Sequence, residues 1–246
     1  MRRLLLGLLL LLALAPRPAS AQQLVADLTD HLVAITTGFN GANVTLFGSI
    51  DGGGDVVVVV RGPERETVVR RKSRIAGIWL NTKSMAFVNV PGYYRVFSNK
   101  PLDQVAPQSL RQFNQIGADQ VKLAPTEGRI AHDEIGLFQS ALLSDELESG
   151  LYRAEPGHID FLGGKLFRAT LNFPRTVPTG TYSIQIFLLR NGDVVAAQTT
   201  PLIISQTGLE ATLNQFATDQ PVLYGIIAVL MAAMAGWLAS LLFRIA

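Results

Sequence analysis

Val222 to Phe243 form a run of 22 residues without a charge. As a helix rising 1.5 Å per residue it covers about 33 Å, the thickness of a bilayer's hydrocarbon core. No heptad spacing and no polar face mark it as a helix of a soluble core. Pro221 suits a first helical turn, where its missing N–H costs nothing. Tyr224 and Trp237 fall toward the two ends, as interfacial aromatics do. The run predicts a transmembrane helix over 222–243, and Arg244 beyond it agrees with a positive-inside end.

The other end carries a different apolar run. Arg2 and Arg3 precede twelve apolar residues, Leu4 to Ala15, and Ala19-Ser20-Ala21 follows. This order predicts a signal peptide over 1–21, with the mature chain starting at Gln22. Together the two ends predict a type I single-pass membrane protein, with residues 22–221 outside the cytoplasm and a short C-terminal stub inside it. Arg2, Arg3, Arg17 and Arg244 then leave the ectodomain, which keeps 17 basic residues against 19 acidic ones. Its net charge is −2, so the basic pI gives no support for nucleic-acid binding. The chain has no cysteine, which excludes disulfides, thiolate metal sites and cysteine nucleophiles.

Between the ends, strand signals dominate 22–100. His31–Thr37, Asn43–Ile50, Glu66–Arg71, Gly77–Leu80, Met85–Val90 and Tyr93–Phe97 read as strands. Val56–Val60 is five valines between turn signals, the pattern of a strand buried on both faces. Residues 101–150 read as a helical insertion, with helices over Leu102–Gln112 and Ile135–Glu148. In the second, Ile135, Phe138, Leu142 and Leu143 share a face. Residues 151–206 return to strand, and Asn191-Gly192 predicts a hairpin turn with positive φ at both residues. Tyr182, Ile184, Ile186 and Leu188 would share one strand face. A linker over 207–221 leads to the membrane helix. The fold class expected is mainly β, with immunoglobulin-like sandwich regions, a helical insertion and the C-terminal helix.

Chemistry-bearing patterns are sparse. No H-E-x-x-H, G-x-S-x-G or P-loop motif occurs. The three histidines are His31, His132 and His158. His132-Asp133-Glu134 opens a helix, and His158 and Asp160 would share a strand face. These could serve a metal-dependent enzyme or hydrolase if they converged, but a surface loop and a helix start account for them better. No catalytic residue, cofactor or metal site is assigned. The basic cluster Arg70, Arg71, Lys72 and Arg74 is the candidate binding site, with Arg70, Lys72 and Arg74 on one strand face. It suits an anionic group, an acidic loop or lipid headgroups. Trp79 lies in an apolar stretch and is expected in the core. Tyr93 and Tyr94 point to opposite faces, so one of the two is expected in solvent. In the membrane helix, Ala228, Ala232, Gly236 and Ser240 recur every four residues, which would let another helix approach closely.

Leu24–Leu28 with Asp30–Ile35, Val56–Arg65, Gly77–Trp79, Gly150–Tyr152 and Val177–Tyr182 form a joint pattern. It resembles a family of alphaproteobacterial transmembrane proteins. The resemblance implies a Gram-negative source, a periplasmic ectodomain and genes beside sulfite-exporter-like permeases. It brings no catalytic residues with it. The function expected is an anchored periplasmic accessory or binding protein acting with an integral membrane partner such as a permease, or self-associating through its helix in the bilayer. A periplasmic enzyme and an envelope structural protein are the alternatives.

Overall fold

The computed structural model describes residues 24–75, 77–126, 132–207 and 216–245. The chain is mainly β, and its centre is β4 (Asp55–Arg61). All five valines of β4 are fully buried. Side chains alternate across a strand, so this burial demands a cover on each face. β4 lies inside a six-stranded sheet, between β12 (Gly180–Arg190) and β7 (Tyr94–Ser98). β13 (Asp193–Gln206) extends that sheet beyond β12, and β2 (Leu32–Ile35) joins β13 in parallel at the edge. β9 (Gly157–His158) lies parallel to β7 at the opposite edge.

One face of β4 is covered by a four-stranded antiparallel sheet. Its order is β1 (Leu24–Leu28), β3 (Ala42–Ile50), β11 (Leu166–Phe173), β10 (Asp160–Leu162). Leu46, Leu171 and Phe173 from this sheet share a core with Val58, Ile184 and Ile186 from the larger one. Tyr93, Phe173 and Tyr182 form an aromatic cluster with ring centroids 5.3 to 5.9 Å apart. The Gln198 side-chain amide ties β13 to β1, donating to the Ala26 carbonyl at 2.6 Å and accepting its N–H at 3.0 Å. The expected strands Val56–Val60 and Asn43–Ile50 are present, and the pairings β3–β11 and β4–β12 join the two β-rich regions into one body.

The other face is covered by residues 102–123. The helix expected over Leu102–Gln112 is two short helices, α1 (Leu102–Val105) and α2 (Gln108–Asn114). Pro107 divides them. Ala106, just before it, is extended at φ −134°, ψ 122°, as a residue preceding proline is pushed to be. This segment is stitched to the sheet by polar contacts. Arg61 Nη2 donates to the Asn114 carbonyl at 2.7 Å. The Tyr94 hydroxyl donates to the Gln115 carbonyl and accepts the Gly117 N–H at 3.0 Å.

The double cover corrects one expectation. Tyr93 and Tyr94 do point to opposite faces, yet both are buried. Tyr93 meets the four-stranded sheet, where its hydroxyl donates to the Asn172 carbonyl at 2.8 Å. Tyr94 meets the helical segment. The hairpin between β12 and β13 turns at Asn191 and Gly192, with φ 52° and 84°, as their sequence predicts. Tyr182, Ile184, Ile186 and Leu188 are all buried.

Two elements leave this body. β5 (Glu64–Ile75) and β6 (Ile78–Pro91) form a long antiparallel ribbon, extended at its base by the short β8 (Ala124–Pro125). The segments Gly77–Leu80 and Met85–Val90, expected as separate strands, both belong to this ribbon. α3 (His132–Glu148) packs against β5 through its buried Phe138 and Leu142. α4 (Pro221–Ile245) is the C-terminal apolar helix.

The buried tyrosines give the fold a pH signature. Burial pushes the Tyr94 hydroxyl up to about 12 and raises Tyr93, Tyr152 and Tyr182 as well. A phenol with a raised folded-state value is held neutral in the fold but ionises near pH 10 once unfolded. Its contribution is therefore complete below pH 10 and is lost as pH rises toward 12. Thermal melts of the full-length protein in detergent are expected to show a flat Tm up to about pH 10 and a steep fall above it. Tyr94→Phe is expected to lower Tm at neutral pH and to flatten that fall.

Candidate functional site

The β5–β6 ribbon is where charge and exposed apolar surface coincide. Its register runs from Glu64↔Pro91 at the base to Ile75↔Ile78 at the tip. Gly77, just before β6, takes φ 85°, a value a side chain would strain. Two register shifts bend the ribbon, one opposite Arg65–Thr67 and one at Thr82.

The base of the ribbon belongs to the core. Met85, Phe87 and Val90 are buried, and Val69 packs against the same cluster. α3 fastens it with two ion pairs. Arg65 Nη2 meets Glu146 Oε1 at 2.6 Å, and Lys83 pairs with Glu134. Glu146 is only 3% exposed. Its second oxygen has no hydrogen-bond partner, so Arg65 is what compensates this buried carboxylate. Between the ribbon and α3 lies a groove of about 310 Å³ lined by Val69, Leu137, Phe138 and Ala141 together with Arg70, Arg71 and Glu134.

The clamp reaches Lys83, level with Arg71, and past it residues 72–75 and 78–81 of the ribbon stand toward solvent. Cross-strand partners share a face. Arg70, Lys72 and Arg74 lie opposite Ser84, Asn81 and Trp79, so the expected basic face exists. On the other face Ser73 and Ile75 lie opposite Leu80 and Ile78, with Arg71 opposite Lys83. Trp79, expected in the core, is 66% exposed. The reason is that, among the described residues, β5 is the strand that accompanies the outer half of β6 and no third layer covers it. Ile75, Ile78 and Leu80 are exposed with it. Arg74 Nε donates to the Gly77 carbonyl at 3.3 Å across the turn. Among the described residues, Arg70, Arg71, Lys72 and Arg74 are in no ion pair.

The histidine candidates are not gathered by what is described. His158 Nε2 lies 3.4 Å from Asp160 Oδ1, and Arg168 approaches the same carboxylate at 3.8 Å; all three side chains are exposed. The His132 and Asp133 side chains lie outside the described ones, and Glu134 is taken by Lys83. His31 pairs with Asp27 at 3.2 Å on the surface. Among the described residues no group of three or more His, Asp or Glu side chains is placed to hold a metal.

α4 begins at Pro221, as the sequence predicts, and its window Pro221–Leu238 has a mean hydropathy of 2.0. No part of that window is buried against the chain's own body. Ala228, Ala232 and Gly236 fall at four-residue intervals along it, and the Ser240 side chain lies outside the described ones.

A mainly β body with, among the described residues, one helix long and apolar enough to span a bilayer is consistent with single-pass membrane anchoring. The chain belongs to the family described as "Putative transmembrane protein (Alph_Pro_TM)", matched over residues 23–245. No curated protein and no solved structure gives a significant match.

The clamp and the tip should respond differently to mutation. Arg65→Ala leaves the Glu146 carboxylate buried and unpaired, and is expected to cost about 3 kcal/mol. Trp79→Ala and Leu80→Ala remove side chains that touch no core, and each is expected to stay within about 0.5 kcal/mol of wild type. Chemical denaturation of the full-length protein in mild detergent measures both.

Proposed function

We propose that this protein is a membrane-anchored periplasmic accessory protein of the bacterial inner membrane, acting with an integral membrane partner such as a permease. The observation that carries the reading is the bare membrane helix. α4 is apolar on every described side and meets none of its own body, so its flank is free to pack on another membrane helix. The β body, which we read as an enlarged immunoglobulin-like sandwich, would then be a binding and positioning module held beside that partner.

The test is purification of the tagged full-length chain from its native membrane in mild detergent, followed by mass spectrometry. A polytopic protein at near-stoichiometric yield is expected with wild type, and Gly236→Leu is expected to lose it. A lone protein, with Gly236→Leu indistinguishable from wild type, would overturn the reading.

A further inference from the structure

The outer ribbon has an order that matches a bilayer surface. Four large apolar side chains, Ile75, Ile78, Trp79 and Leu80, occupy its last few cross-strand pairs. The bases sit just behind them, Arg74 one residue from the end of β5, then Lys72, Arg71 and Arg70. At about 3.3 Å per residue, the basic belt runs from about 3 to 17 Å behind the tip. Interfacial elements bury their apolar part about 5–10 Å deep at the headgroup and acyl boundary. Apolar tips of that depth would bring Lys72, Arg71 and Arg70 to the phosphate level, with Arg74 able to reach up to it along its own stem. Tryptophan is the side chain favoured at that boundary.

Charge separates this element from the rest of the ectodomain. Residues 67–102 contain no acidic residue, whereas the ectodomain as a whole is net negative. A positive tip on a negative body orients toward an anionic surface rather than merely sticking to it. The chain also keeps that surface within reach. Fourteen residues, 207–220, separate the end of β13 from α4; with 216–219 helical they can span at most about 40 Å. The ribbon itself is about 40 Å long, from its twelve-residue strand β5. A tethered element meets its surface at high effective concentration, so weak individual contacts suffice.

We infer that the tip of the β5–β6 ribbon is a lipid-binding element. It seats Ile75, Ile78, Trp79 and Leu80 in the outer interface of the anionic bilayer that α4 spans, with Arg70, Arg71, Lys72 and Arg74 on lipid phosphates. This gives the ectodomain a second attachment to the membrane. The inference rests on the anchoring helix and not on the protein partner, so the two can fail separately.

The chain has two tryptophans, so Trp237→Phe leaves Trp79 as the sole emitter in the full-length protein. The variant is placed in nanodiscs of phosphatidylcholine alone and of equal parts phosphatidylcholine and phosphatidylglycerol. In the anionic discs Trp79 emission is expected to shift to the blue, to be quenched by acyl-brominated lipid, and to lose its iodide quenching several-fold. Arg70→Glu, Lys72→Glu and Arg74→Glu together are expected to abolish that difference with Tm unchanged. Water-like, iodide-accessible emission in both discs would overturn the proposal. So would shielding of Trp79 that appears in native membranes but in neither disc, since that outcome identifies a protein as the occupant.

Discussion

Everything in the body follows from the need to dry both faces of β4. Five buried valines in succession cannot be satisfied by a two-layer arrangement, because alternate side chains point to opposite sides. The four-stranded sheet covers one side and residues 102–123 cover the other. Each cover is then held by polar contacts suited to its side. Tyr93 and Arg95 donate to the Asn172 carbonyl, whereas Arg61 and Tyr94 reach the carbonyls at the end of α2. The helical segment is therefore structural, the third layer of the core.

The ribbon is the counterpart of that economy. Its inner half, Met85, Phe87 and Val90, is drawn into the same core, while its outer half has no layer of its own. A two-stranded ribbon is marginal in water by itself, and here α3 supplies the missing support through hydrophobic contact and the Arg65–Glu146 pair. Past that clamp the strands are free to carry residues that a core would exclude. Arginines and a tryptophan sit together there because nothing in the body competes for them.

Much of this was legible in the residues, and the limits have physical causes. The valine strand, the Asn191-Gly192 turn and the apolar helix are each specified locally, by β-branching, by tolerance of positive φ and by unbroken hydropathy. The ribbon was not, because the polar stretch Asn81–Ser84 and the register shift at Thr82 interrupt the alternation that marks one continuous strand. Trp79 and the tyrosine pair were misplaced for one shared reason. Hydropathy shows which residues favour burial, but the layers that bury them come from distant parts of the chain. The basic cluster could be found in the sequence as a stripe, yet its position next to an exposed apolar tip required the fold.

The junction between body and anchor has a mechanical side. β13, the strand that leads to α4, is not an edge. It is paired with β12 along its length and with β2 near its end, where the Thr207 N–H also donates to the Ile35 carbonyl at 3.0 Å. A pull on the chain beyond Thr207 directed along β13 would act along the axis of this strand. Its ladder bonds on both sides are then loaded together in shear, not opened one after another as in a peeled hairpin. Tension on the tether would be shared by the whole six-stranded sheet, so the body moves as a unit when the membrane beneath it moves.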